Sequence, residues 1–322
     1  MKTEKIYSTN NYLSSRQLNL FDFGLKPSEN NNLLNSINSD FTGNQLLDFV
    51  ITCYNYAQMI IPKYSHEYSK HKYTQPQLFA ILSYKIYNKY NYRRLIDNLN
   101  VSDTIKKVIG LKTIPHYTTI QKFFKKLKTE YLNAINDLLL TFFPVTNCYF
   151  SLDGTGYTSS YSDIYYNNRM KKPRKSYMKN HIVVDSEYML IRHQNVKKGP
   201  RFDTVFAISA IRSIEKYKPR YILADKAYDT EDIKQTIIEE TTAIPQIPTK
   251  KNQKTGTYRT KCRAIFWKNI YNFRNQVECV NSIEKRLFSG INTSRSVNLQ
   301  IKETKLKNTY YNIDRSIKIL KR

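Results

Sequence analysis

Cysteine is scarce in this 322-residue chain: four residues (Cys53, Cys148, Cys262, Cys279), with no CxxC and no Cys/His cluster. That excludes a disulfide framework and a thiolate zinc site, and suits a reducing compartment. Five histidines (His66, His71, His116, His181, His193) leave little material for imidazole chemistry, so carboxylates are expected to carry any catalysis. No apolar run reaches the roughly 18 residues of a membrane span. The opening MKTEKIYSTNNYLSS has no apolar core of a secretory signal, so a soluble, intracellular protein is expected. Acidic residues are also in deficit. Twenty-six Asp and Glu face 52 Lys and Arg, a net charge of +26 with a pI near 9.7. Such an excess points to a polyanionic partner, because each basic group laid against a phosphate releases a condensed counterion. With 40% hydrophobic and 13% aromatic residues the chain can build a core, and wholesale disorder is excluded.

The charge is unevenly placed. Residues 1–48 hold four basic and five acidic side chains, and the Asn/Ser-rich stretch from Ser28 to Ser39 reads as a loop or flexible arm (1–43). From Gln45 to Ile61 the pattern is apolar enough for a buried helix, ended by Pro62. A second helix is expected from Thr74 as N-cap, with Pro76 in its first turn. YRRLIDNLN, SDTIKKVIG and one long pattern from His116 to Phe143 follow. Between Tyr84 and Lys128 there are eleven basic and two acidic residues. Short helices with basic faces, in a helix–turn–helix-like rhythm, fit a DNA-binding domain over 44–146; a helical bundle with solvated lysines is the alternative.

After Pro144 the character changes. CYFSLDGTGY, HIVVDSEYMLIRHQNV, PRYILADKAY and TTAIPQIP read as strands, with helices at RFDTVFAISAIRSI and, capped by Asp229, DTEDIKQTIIEE. KKNQKTGTYRTKCR reads as a basic loop, IFWKNIYNFRNQVECVNSIEKRLF as helix, and 291–322 as a basic tail. The result is a mixed α/β domain over 147–290.

Two of these strands end on an aspartate, Asp153 in SLDGTG and Asp225 in LADKAYD. The C-terminal ends of strands in α/β sheets project side chains into a shared crevice, although a turn aspartate is the commoner use of such a residue. A third carboxylate, Glu278, lies with Tyr271, Arg274 and Lys285 at offsets that place all four on one helix face. That stripe could equally be a solvated surface carrying an Arg274–Glu278 ion pair. Glu284, about 240° around the helix from Glu278 at roughly 100° per residue, is set aside. Asp185 and Asp229 read as turn and cap residues. Three such carboxylates can hold two Mg²⁺ ions about 4 Å apart for in-line attack on a phosphodiester. Basic neighbours would neutralise the developing charge.

On these residues the chain resembles the DDE transposases of insertion sequences. Tyr271, Arg274, Glu278 and Lys285 match that family's Y-(2)-R-(3)-E-(6)-K signature, and Asp225, Ala227 and Tyr228 its D-(1)-[GA]-[YF]. Asp153-Gly154-Thr155 is similar to the first-aspartate strand, and Gly199-Pro200 with Asp203 to a GPxxD segment. PHYTTIQKFFKKL also resembles a segment that precedes the catalytic domain in relatives.

The resemblance implies a ribonuclease H-like catalytic domain with an all-helical N-terminal DNA-binding domain. Asp153, Asp225 and Glu278 would be catalytic metal ligands for Mg²⁺, with Mn²⁺ able to substitute, and Tyr271, Arg274 and Lys285 DNA contacts. It further implies binding of double-stranded DNA at terminal inverted repeats and at the target, a homodimer on DNA, and a cytoplasmic, nucleoid-associated location in a prokaryotic cell. The 53 residues between Asp225 and Glu278 exclude a large insertion domain. A metal-dependent nuclease without strand transfer and a catalytically silent DNA-binding remnant are the alternatives. Lys171, Lys172, Arg174 and Lys175 are expected to touch phosphates or to be solvated, and the tail to add non-specific DNA affinity. Trp267 is expected in the core rather than as a DNA wedge.

Overall fold

The structure, a computed structural model, describes residues 41–159, 169, 177–252 and 255–321. The expected arm lies outside these but for its last three residues, and Lys171, Lys172, Arg174 and Lys175 lie outside them entirely.

Among the described residues six helices precede the first strand: α1 Gln45–Ile60, α2 Gln75–Tyr87, α3 Tyr92–Val101, α4 Asp103–Val108, α5 Tyr117–Lys126 and α6 Thr129–Thr141. Their starts are set by side chains that satisfy otherwise orphaned N–H groups. Asn44 accepts from Leu47 N, Asn91 accepts from Arg94 N, and Thr74 forms a reciprocal capping box with Gln77. The single long helix expected over 116–143 is instead two. Leu127 takes an extended conformation (φ −54°, ψ 122°) and is buried, so α6 turns back onto the bundle.

The sheet has the order β3-β2-β1-β4-β5 (β1 Tyr149–Ser159, β2 Met178–Asp185, β3 Ile191–Lys198, β4 Tyr221–Leu223, β5 Ile244–Gln246). β2 runs antiparallel to both β1 and β3, whereas β1–β4 and β4–β5 are parallel. HIVVDSEYMLIRHQNV, expected as one strand, is the β2–β3 hairpin. Asp185 makes the corner: its carboxylate accepts from Tyr188 N at 2.5 Å and Leu190 N at 3.2 Å, while Met189 sits at φ 58°.

Helices α7 Thr204–Ile214 and α8 Glu231–Glu240 cover one face, with Phe150, Leu152, Val183, Ala210, Ile222 and Ile237 in that core. Thr230, not Asp229, caps α8; Asp229 is buried, accepting from Lys234 Nζ at 2.7 Å and Lys250 N at 2.7 Å. The expected basic loop contains a short helix, α9 Thr257–Ala264, whose Tyr258 and Arg259 N–H groups are held by Glu231. Then come α10 Lys268–Tyr271, a 3₁₀ turn Asn272–Arg274 and α11 Asn275–Phe288. This mixed sheet flanked by helices is compatible with the ribonuclease H-like expectation.

Residues 291–322 are not a solvated tail. Ile291–Asn292 forms β6, parallel to the end of β1, and Val297–Leu320 forms α12, a 24-residue helix. Its buried residues include Leu306, Tyr310, Tyr311, Ile313 and Ile317, which join α1, α2, α6 and the second sheet face in one core. The polar residues of α12 that made it look like a tail are spent inside. Lys307 Nζ donates to the carbonyls of Ser289 and Ile291, and Asn312 exchanges two 2.8 Å bonds with the backbone of Ile191. The sheet-bearing unit therefore extends past 290, and it shares its core with the N-terminal helices.

Candidate active site

Asp153 projects from the middle of β1, beyond the last residue that β4 pairs with, Ser151. The shorter neighbour leaves the Asp153 carboxylate partly open on that side. Asn281 of α11 donates to Asp153 Oδ2 at 3.0 Å. Burial raises the Asp153 pKa; the Gly154 N–H and Arg274 oppose this, and the nearby charges of Asp203 and Asp225 reinforce it. The ionised form is thus held in an unfavourable place.

Asp225 follows β4 and caps a 3₁₀ turn, Lys226–Tyr228, by accepting from Ala227 N at 2.8 Å. Tyr228 then anchors that turn beneath the sheet. Its hydroxyl lies 2.7 Å from His181 Nε2, and the imidazole of this fully buried residue stacks on Phe206. The D-x-A-Y pattern has a local cause: the aspartate closes the turn, a small residue offers the N–H, and the aromatic pins it to β2. Burial drives the Tyr228 pKa well up, with Asp203, Asp153 and Asp225 adding to it.

Burial also holds His181 neutral, its pKa pushed down to about 3. An unfolded histidine protonates below about 6.5 and this one does not, so His181 contributes stability above that pH and loses it as acid is added. Buried Glu284, raised to about 8 by desolvation, acts with the opposite sign, so the group must be isolated by difference. Urea unfolding of wild type and His181→Phe between pH 7 and 4 should show the wild type losing about 1.4 kcal/mol per pH unit relative to the variant. Parallel pH profiles would show that His181 does not stay neutral in the fold.

The signature segment faces β1. Phe273 O accepts from Ser151 Oγ at 3.4 Å, and Lys285 Nζ donates to Thr155 Oγ1 and lies 5.2 Å from the Tyr157 ring centre. Burial lowers the Lys285 pKa, against the attraction of Glu284 and Asp153. Tyr271 lies within the field of Arg274 and Asp225, its pKa raised by burial. Arg274 donates to Glu278, and its charge also acts on Asp153. Burial works against the Arg274 charge, but its bond to Glu278 together with the charges of Tyr271, Glu278 and Asp153 outweighs that and raises its pKa. Glu284 points into the core, 1% exposed.

Asp153, Asp225, Tyr271, Arg274 and Lys285 are thus gathered on one side of β1, while Glu278 is joined to them only through Arg274. The Glu278 carboxylate is half exposed and ion-paired within its own helix, as the surface-stripe alternative had it. Trp267 departs from expectation. It is 59% exposed at the start of α10, held by its backbone, whose N–H donates to Gln246 and whose carbonyl accepts from Tyr271 N.

One acidic residue of the site was not selected from the sequence. Asp203, at the start of α7, lies against Gly154: a Cβ at Gly154 would sit 2.0 Å from Asp203 Oδ1 and 2.6 Å from Lys179 Cε. The Lys179 ammonium is 2.8 Å from Asp203 Oδ1. It lies off the direction of a hydrogen bond, so this buried oxygen has an ion-pair partner but no donor. The GPxxD match was the signal that could have found it.

The donors suit a hard divalent cation, being carboxylate oxygens with no thiol among them, and Asp203 Oδ1 is a buried oxygen with acceptor capacity unspent. Among the described residues no three acidic, histidine or cysteine side chains already converge closely enough to hold an ion. No helix among them is long and apolar enough to cross a membrane. The family model of the transposase DDE domain matches residues 147–312, more than half of the chain. No curated protein sequence matches.

Proposed function

Since the chain belongs to the transposase DDE domain family, we propose that it binds the terminal inverted repeats of a mobile element, cleaves at the ends and joins the 3′-hydroxyl to target DNA. The observation that carries this reading is the gathering of Asp153 and Asp225 with Tyr271, Arg274 and Lys285, inside the stretch that matches the family.

Asp153 and Asp225 would hold Mg²⁺, or Mn²⁺ in its place, with Glu278 joining once Arg274 turns to a phosphate. The bound ions would supply an activated oxygen nucleophile and neutralise the leaving oxygen. The chain's own residues do the rest. Asn281 orients Asp153, the Tyr228–His181 anchor fixes Asp225, and Lys285 and Arg274 present positive charge along β1 to the scissile strand. The N-terminal helices offer a basic face: Lys112, Lys122, Lys125 and Lys126 are exposed and, among the described residues, have no carboxylate within ion-pair distance. This supports DNA contact through residues 44–146; a dimer bridging two ends in the nucleoid completes the proposal.

The test is an oligonucleotide duplex carrying the element end with a free 3′-hydroxyl, incubated with plasmid and Mg²⁺ or Mn²⁺. Joined product is expected. Cutting without joining would favour the nuclease reading, and DNA binding with neither would leave the silent remnant. Binding to non-specific duplex should fall about 10³-fold or more between 50 and 200 mM salt if six or more phosphates are met; a flat salt dependence would contradict the charge argument.

A further inference from the structure

We infer that Asp203 is a fourth carboxylate of the divalent-cation site, neutralised by Lys179 until an ion displaces that ammonium. The inference rests on the reading of Asp153 as a metal ligand and extends it to a residue outside the three expected ones.

Three observations converge on Asp203. The first is its place. Gly154, the residue after Asp153, has room for the Asp203 carboxylate only because it lacks a Cβ, since any side chain there would overlap Oδ1. The second is its charge, which acts on both Asp153 and Tyr228 and stands ahead of Asp225 among the groups acting on each. Asp203 therefore belongs to the same electrostatic cluster as Asp153 and Asp225, whereas Glu278 reaches that cluster through Arg274. The third is its incomplete satisfaction. Oδ1 is buried, has no hydrogen-bond donor, and is balanced only by Lys179 at 2.8 Å. A buried carboxylate oxygen without a donor is costly to keep unless it has further use. Lys179 and Asp203 are only 12% and 21% exposed in their side chains, so the pair sits largely out of solvent.

A purely structural ion pair and a cation-binding carboxylate guarded by a lysine make different predictions. Removing either half of a structural pair weakens the fold in the same direction. In the guarded arrangement the two halves act with opposite sign on metal binding, because the ammonium competes with the ion that the carboxylate would help to hold.

The experiment measures Mn²⁺ binding to the full chain without DNA, by electron paramagnetic resonance of the free ion, alongside a thermal melt of each variant. Asp203→Asn should weaken Mn²⁺ binding about ten-fold or more, the loss typical of removing a supporting group from a metal site. Lys179→Met should tighten it by about three-fold or more, the scale of a released surface-type ion pair. Asp153→Asn serves as the control. If Asp153→Asn loses binding while Asp203→Asn stays within two-fold of wild type, this inference is overturned and the reading of Asp153 stands. If Asp153→Asn also binds as wild type does, that reading itself fails. Should Asp203→Asn not fold, Lys179→Met alone decides: unchanged or weaker Mn²⁺ binding overturns the inference.

Discussion

Replacing Asp153 by Asn should reduce metal-dependent cleavage and joining by at least about 10³-fold, the scale seen when a reaction's principal electrostatic group is removed. DNA binding by the same variant should stay within about three-fold of wild type. The change keeps the volume and the contact with Asn281 but removes the anion that a cation needs. The same variant should also melt at a higher temperature than wild type. Burial and two neighbouring carboxylates, Asp203 and Asp225, all penalise the charge of Asp153. An amide avoids that penalty, the usual trade between stability and activity at a built site. Activity lost together with raised stability marks a functional carboxylate. Activity retained, or a lowered melting temperature, would mean that Asp153 is there for the fold.

The second large effect concerns the far end of the same hairpin. Asp185 and Arg192 have fully buried side chains and pair at 2.7 Å, with the Asp185 carboxylate also closing the β2–β3 corner. Both terminal nitrogens of Arg192 already lack hydrogen-bond partners and lie against Tyr217, 5.3 Å from its ring centre. Asp185→Ala would strand that charge in the interior and should cost about 3–5 kcal/mol in urea unfolding. The double variant Asp185→Ala/Arg192→Met should recover a large part of the loss, because it removes the orphaned charge while leaving the corner N–H groups unpaired. A loss under about 1 kcal/mol for the single variant would show that water reaches the pair.

The strand end at LADKAYD was legible because a short apolar run joins a turn-forming aspartate there, a local signal, whereas β1 runs on through Asp153 to Ser159 instead of turning at SLDGTG. The stripe of Tyr271, Arg274, Glu278 and Lys285 was legible because helical spacing survives the 3₁₀ turn at 272–274. What escaped is non-local. Asp203 looks like any residue ahead of a helix until Gly154 is brought against it by the fold. The hairpin at Asp185 hid inside a continuous apolar pattern, since a corner made by a side chain needs neither glycine nor proline. Asp185 itself was read correctly as a turn residue, whereas Asp229 ties Lys234 and Arg259 together instead of capping α8. Residues 291–322 read as a solvated tail because eight basic side chains against two acidic ones suggest solvent. In α12 the polar atoms of Lys307, Asn308 and Asn312 meet buried backbone and amide partners that no composition reveals.

The seating of α12 between the N-terminal helices and the sheet has a genetic corollary. A frameshift or stop codon that removes α12 would strip both the N-terminal helices and the sheet of the same apolar wall, including Tyr310 and Ile313, and leave neither closed. Such damaged copies are expected to be degraded rather than to persist as fragments that occupy element ends and obstruct an intact neighbour.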